Sequence, residues 1–256
     1  MGTIAISGCA TGMGAAARKR LEADGHRVIG VDLRDAEVVA DLSEQEQRLR
    51  AVDEVTAASD GVLDGAVLCA GLGGHIGKNA LVASVNYFGT VDLMDGLRPA
   101  LERGHAPAVV AICSNSAQLG PDFGATSLVQ AMLDHDEPEA RRLAEADYPG
   151  QLVYMLSKNA MGQAIRRRAL EWGDAGVRLN GIAPGPVDTP LLRGGLETPG
   201  DGDAIRAFKV PIDRYGSPEE IAEVIRFMLG PDCGFVHGSI WYVDGGADAN
   251  VRPDRF

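Results

Sequence analysis

Apolar and polar positions follow two alternating rhythms from end to end of the chain. TIAIS (Thr3–Ser7), RVIGVD (Arg27–Asp32), GAVLCAG (Gly65–Gly71), AVVAICS (Ala108–Ser114), VRLNGIAPG (Val177–Gly185) and IWYVDGG (Ile240–Gly246) are short, nearly continuous apolar runs. Runs of this kind predict strands buried on both faces. Between them lie stretches with helical spacing. AAARKRLEADG (Ala15–Gly25) ends on a glycine stop. Ser43 and Glu46 have capping-box spacing before a polar helix reaching about Ala58. Asn79–Gly104 and Tyr154–Gly176 predict long helices, and Ser217, Pro218 and Glu220 predict the start of a last one by cap, first-turn proline and capping-box acid. Strand and helix in strict alternation predict an α/β fold: one Rossmann-type, doubly wound parallel sheet forming a single domain over residues 1–256.

Composition narrows the function. The 256 residues carry a net charge of −12, which argues against nucleic-acid and anionic membrane surfaces as partners. MGTIAISG has neither a basic leader nor a long apolar core, and no run approaches the length of a membrane span, so a cytoplasmic protein is expected. Cys9, Cys69, Cys113 and Cys233 form no CxxC pair and predict buried, reduced thiols. The five histidines make no HxxxH pair, and no metal site is expected.

The first strand-to-helix turn carries chemistry. In SGCATGMG (Ser7–Gly14) the glycines stand at 8, 12 and 14. Gly8 permits a tight turn, Gly12 lets the backbone approach a pyrophosphate, and Gly14 lets the helix start pack close to the sheet. The helix N-terminus then offers unpaired N–H groups to phosphate. Asp32, 18 residues after Gly14, ends the second strand, where a carboxylate accepts ribose hydroxyls and repels a 2′-phosphate. The expected cofactor is NAD rather than NADP. Downstream, Tyr154 and Lys158 stand four apart on one helix face. A phenol of pKa ~10 is a poor base until a cation favours its phenolate.

These pieces together resemble the classical group of the short-chain dehydrogenase/reductase family over essentially the full length. SGCATGMG resembles the family's TGxxxGxG, with Ser7 for threonine. LCAG (Leu68–Gly71) resembles its NNAG, without either asparagine. SVNYFG places Asn86, ICS places Ser114, YMLSK places Tyr154 and Lys158, IAPGPVDTP supplies the PG and Thr segment, and VDGG the C-terminal signature. Within the family the chain is most similar to the bacterial hydroxysteroid dehydrogenases and carbonyl reductases.

The resemblance implies roles. Tyr154 is the general acid and base, and Ser114 polarises the substrate oxygen. Lys158 binds the nicotinamide ribose and lowers the Tyr154 pKa, and Asn86 holds a water that relays protons. The implied cofactor site comprises Gly8, Cys9, Ala10, Thr11, Gly12, Met13 and Gly14 in the turn, with Asp32 and Leu33 after the second strand. Asp41 and Leu42 border the adenine. Cys69, Ala70 and Gly71, Tyr154 and Lys158, and Pro184, Gly185, Val187 and Thr189 complete it. The implied activity is interconversion of a secondary alcohol and a ketone. An acyl-carrier-protein ketoreductase and a catalytically silent NAD-sensing module are the competing readings. The first should have a short Ser-to-Tyr connection and a basic residue selecting NADP, and the second should have lost Tyr, Lys or Ser.

Two stretches depart from the family. Ser114 and Tyr154 are 40 residues apart, where a strand-to-helix connection usually needs about 2–6. SLVQAMLDHD and PEARRLAEAD predict a helical insertion over about 116–149. It is either a surface elaboration or a lobe that shapes the substrate mouth and subunit pairing. Such a lobe, entering just before a long helix through which the family commonly pairs, favours a homodimer over a tetramer. The glycine-rich stretch at about 190–210 suits a mobile lid. Its Leu191, Leu192, Leu196 and Phe208 either line an apolar cleft, favouring a hydroxysteroid or another apolar carbonyl compound, or pack internally.

Overall fold

The computed structural model describes residues 1–120 and 122–255. Seven strands form one parallel sheet: β1 Thr3–Ser7, β2 Arg27–Asp32, β3 Val38–Val39, β4 Gly65–Leu68, β5 Ala108–Ile112, β6 Arg178–Pro184 and β7 Ile240–Val243. Their spatial order is β3-β2-β1-β4-β5-β6-β7. The two-residue β3 escapes the sequence reading because so short a strand carries no rhythm. The order reverses between β1 and β4, where the connecting helices leave for opposite faces and a crevice opens at the carboxyl ends of the strands.

The helices in chain order are α1 Gly12–Ala23, α2 Gln45–Ala58, α3 Asn79–Ala83, α4 Gly89–Leu101, α5 Ser127–Leu133, α6 Glu137–Asp147 and α7 Gly150–Asp174. They continue with α8 Pro190–Glu197, α9 Asp201–Ala207, α10 Pro218–Leu229 and α11 Ala247–Val251. Alternation along β1 sorts its side chains between two cores. Ile4 and Ile6 pack with Leu21 of α1 and Ile225 and Met228 of α10, whereas Ala5 joins the opposite core with Phe88, Leu97, Leu156 and Trp172. Among the described residues no helix is long and apolar enough to cross a membrane.

Local chemistry sets the helix starts. Ser217 and Glu220 form a reciprocal capping box: Glu220 N donates to Ser217 Oγ at 3.2 Å and Ser217 N to Glu220 Oε2 at 2.8 Å. The box expected at Ser43 and Glu46 does not form. Helix α2 begins at Gln45, and Glu44 caps it with no side-chain bond. Asp41 Oδ1 instead accepts the Ser43 N–H at 2.9 Å, an Asx turn that competes for that backbone, while Gln47 Oε1 accepts the Asp41 N–H at 2.8 Å. A π-turn, Ser84–Phe88, joins α3 to α4 without a break.

The segment between β5 and α7 carries α5 and α6, and it is not a surface ornament. Leu128, Val129, Met132, Ala140 and Ala144 are fully buried and belong to the core that contains Trp172 and Leu156. Thr126 caps α5 and Asp136 caps α6. Polar ties fasten the pair to α3 and the π-turn: Asn79 Nδ2 donates to Tyr148 O at 2.9 Å, Ala80 N to Glu145 Oε2 at 3.0 Å, and Arg141 Nη1 to Ser84 Oγ at 2.7 Å. We expect Leu128→Ala to destabilise the protein by about 2–5 kcal/mol, the cost of truncating a central core leucine. Urea unfolding measures it, and a loss under about 1 kcal/mol would mean that the lobe folds apart from the core.

Candidate active site

The crevice is a cleft of about 570 Å³ that runs from the glycine turn to the lid. At one end the turn from β1 into α1 gives its floor. Gly8 and Gly12 have φ of +70° and +56°, and a Cβ on Gly8 would lie 2.7 Å from the Ala70 amide nitrogen. A Cβ on Gly14 would press into the Gly8 carbonyl, so this helix start sits against the turn only because it has no side chain. Such a cradle, open at backbone level and ending in helix N–H groups, fits a pyrophosphate.

Thr11 and Met13 line the cleft with these glycines, but Cys9 and Ala10 do not. Cys9 is buried beneath the turn, where its Sγ fills the space beside Gly30. The Ala10 N–H is taken by Asp32 Oδ2 at 3.0 Å, and the Leu33 N–H donates to Asp32 Oδ1 at 2.7 Å. The Asp32 carboxylate is thus aimed by two backbone donors while still facing the cleft, as do Leu33, Asp41 and Leu42.

At the centre stand Ser114, Tyr154 and Lys158. Ser114 follows β5, and Tyr154 and Lys158 lie one turn apart on α7, which brings all three to the same wall. Lys158 is buried, and its Nζ donates to the carbonyl of Ile112, the last residue of β5, at 2.7 Å. Burial pulls its ammonium below the usual lysine range. Burial likewise pushes the Tyr154 phenol up, and the Ser114 hydroxyl offsets part of that rise. Ser114 Oγ is itself 2.9 Å from Ser116 Oγ and accepts the Ser116 N–H at 3.2 Å. Burial raises the Cys69 thiol to about 12 and the Cys113 thiol to about 11, so both remain neutral beside the lysine.

Asn86 sits behind the wall, inside the π-turn, a helix irregularity that recurs at functional sites. Its Oδ1 accepts the Leu72 N–H at 2.7 Å, and its Nδ2 donates to Leu72 O at 3.0 Å and to Ser157 Oγ at 3.2 Å. Its amide is spent on the chain after β4. A Cβ on Gly71 would come within 3.4 Å of Asn86 Oδ1 and 3.5 Å of Lys158 Nζ, so that glycine fills the space between them. Cys69 and Ala70 line the cleft nearby, as do Pro184 at the end of β6 and Gly185 and Val187 just beyond it. Thr189 also lines it and caps α8, donating to Val187 O at 3.2 Å and accepting the Leu192 N–H at 3.3 Å.

The far end is apolar. Leu191, Leu192 and Phe208 of the lid segment line it, but Leu196 does not: it turns to a separate hollow with Arg193, Pro199 and Arg206. Among the lining residues that sequence reasoning missed are Leu72, His75, Leu81, Val85, Leu119, Gln151, Met155 and Ile205. Gln151 is three residues before Tyr154 and Val85 four after Leu81, helical spacings that signal a shared face. His75 had no such signal, since a loop between β4 and α3 brings it under α8. A Cβ on Gly194 would lie 2.7 Å from its Nε2.

A doubly wound sheet whose switch-point cleft joins a glycine cradle to a Ser–Tyr–Lys wall defines a dinucleotide-type oxidoreductase. Comparison with known proteins agrees. A family model described as Enoyl-(Acyl carrier protein) reductase matches residues 141–248. The chain is 49% identical over 259 residues to the 3-alpha-hydroxysteroid dehydrogenase/carbonyl reductase of Comamonas testosteroni, covering 100% of each. It is 30% identical over 254 residues to the coniferyl-alcohol dehydrogenase of Pseudomonas sp. strain HR199, covering 95% of each. The crystal structure of the 3-alpha-hydroxysteroid dehydrogenase from Pseudomonas sp. B-0831 complexed with NADH superposes with a TM-score of 0.97 at 45% identity, covering 99% of this chain and 100% of that one. The chain belongs to the short-chain dehydrogenase/reductase family.

Proposed function

We propose that the protein is an NAD-dependent dehydrogenase that interconverts a secondary alcohol and a ketone, with a hydroxysteroid or another apolar carbonyl compound as substrate. The observation that carries this reading is the convergence of Ser114, Tyr154 and Lys158 on one wall of a cleft whose other walls are a glycine cradle and a lining of Leu, Val, Met and Phe. The extensive similarity to a hydroxysteroid dehydrogenase/carbonyl reductase supports the substrate class.

The glycine turn would hold the pyrophosphate, Asp32 the adenosine ribose, and Asp41 and Leu42 the adenine. NAD would supply the hydride acceptor. In oxidation the alcohol O–H proton passes to the Tyr154 oxygen, and in reduction that oxygen returns it to the forming alkoxide. The Ser114 hydroxyl donates to the substrate oxygen as negative charge gathers there. Lys158 would set the field at Tyr154, and Asn86, whose side-chain amide braces the loop beside Lys158, would hold a water that relays protons from Lys158 to solvent.

Tyr154→Phe is expected to lower kcat for hydroxysteroid oxidation by at least about a hundredfold, with NADH binding unchanged in a fluorescence titration. A near-wild-type kcat would overturn the mechanism. Because burial raises the Tyr154 phenol, the free protein holds it protonated at neutral pH, the form that serves ketone reduction. Alcohol oxidation should rise as pH climbs toward that raised value, and reduction should fall over the same window.

Asp32→Ala should remove about 1.5–3 kcal/mol of preference for NAD over NADP, read from the ratio of the two kcat/KM values. An unchanged ratio would place Asp32 outside the ribose site.

The same reading extends to assembly as a homodimer. The inserted α5 and α6 lie against α3 and α7, the side through which a second pair of long helices would have to meet. Light scattering tests this, and a tetramer that persists on dilution would refute it.

A further inference from the structure

Arg48, on α2, is the most deeply buried charge in the described part of the molecule, at 0% exposure. A guanidinium does not shed its proton, so its burial demands partners. They come from the Leu42 carbonyl six residues earlier and from two carboxylates distant in sequence. Nη1 donates to the Leu42 carbonyl at 3.2 Å and to Glu137 Oε1 at 3.2 Å, and Nη2 donates to Glu137 Oε2. Nε lies 2.8 Å from Asp92 Oδ2, a charge contact out of line for a hydrogen bond. Asp92 belongs to α4 and also meets His135 Nε2 at 3.1 Å. Glu137 is the first residue of α6. Leu42, which lines the cleft, is confined from another side too: a Cβ on Gly89 would lie 3.0 Å from Leu42 Cβ and 3.1 Å from its carbonyl oxygen.

We infer that Glu137 and Arg48 are positioning residues for the cofactor: the insertion, through Glu137, holds Arg48 against the Leu42 carbonyl and thereby fixes the wall on which the adenine rests. This deepens the proposed function and rests on its placement of the adenine at Asp41 and Leu42. The guanidinium is a rigid fork, and Glu137 occupies both of its terminal nitrogens. Without the Glu137 carboxylate, Asp92 is the remaining anion beside Arg48. The fork then turns toward it, and the Leu42 carbonyl loses its donor. Ser114, Tyr154 and Lys158 belong to other elements and keep their geometry. The signature is therefore a loss confined to the adenosine half of the cofactor.

The experiment uses the full chain with Glu137→Gln, which keeps the shape and removes the charge. Glu139→Gln on the same helix is the control, because its partner is the exposed Arg142. Calorimetric titration with 5′-AMP reads the adenosine end alone, and initial rates read the NAD KM and kcat. We expect Glu137→Gln to weaken 5′-AMP binding and raise the NAD KM by about fivefold, the scale on which residues outside a site modulate it. The kcat at saturating NAD and all constants of Glu139→Gln should stay at wild-type values. A lowered melting temperature with an unchanged 5′-AMP constant would overturn the inference, because the network would then only dock the lobe. Should Glu137→Gln fail to fold, Arg48→Lys, which keeps the charge but loses the fork, is held to the same expectation and the same refutation. A wild-type protein that binds neither 5′-AMP nor NAD would overturn the cofactor reading first and this inference with it. Wild-type binding with an unaffected variant would overturn this inference alone.

Discussion

A lysine ammonium buried under the cleft and anchored on the final carbonyl of β5 is the constraint on which the site depends. Lys158 reaches Ile112 only because β5 ends there and α7 crosses at that height. That crossing also brings Tyr154 one turn earlier to the level of Ser114. The neighbours of the ammonium are chosen to leave it room: a glycine at 71 and two neutral thiols at 69 and 113. A second cation or a bulkier side chain at any of these places would move the lysine.

The placement of that helix is in turn secured by the segment that precedes it. A connection of 40 residues between Ser114 and Tyr154 would be a liability if it were loose, because α7 would be tethered to β5 by a floppy span. Folding α5 and α6 into the same apolar core as α7 converts the span into a buttress. The helix that carries Tyr154 and Lys158 is therefore packed from the sheet side by β6 and flanked by the lobe, with Asn159 Nδ2 also donating to Ala117 O at 2.8 Å just beyond Ser114.

Much of this was legible in the sequence wherever a residue type has few physical uses. Glycines between strand and helix, an acid at the second strand end, and a Tyr and Lys four apart each pointed to their place. The long strands and the Ser217 box were legible because local bonds decide them. Other features were not, because tertiary partners decide them. Ser43 looked like a cap until Asp41 took its N–H. Leu196 shared the composition of its lid neighbours but faces away from the cleft. Arg48 falls in QRLR, part of the helix that reads simply as polar, and its burial follows from Asp92 and Glu137, which no local pattern connects to it. The lobe's union with the core was hidden for the same reason: an apolar stripe says that something covers it, not what.

The π-turn at Ser84–Phe88 lets one continuous helical rod serve two directions. An extra residue per turn rotates everything before it by about 100° relative to everything after it, since each residue of a regular helix advances by that angle. Leu81 and Val85 consequently face the cleft, while Val91, Met94 and Leu97 face the sheet. In phase terms, the rod carries two apolar stripes with a dislocation between them, and Asn86 sits at the dislocation. Deleting a single residue there would heal the helix and erase the offset. The leucine and valine that line the cleft would then swing off its wall while the sheet-facing half stayed where it is.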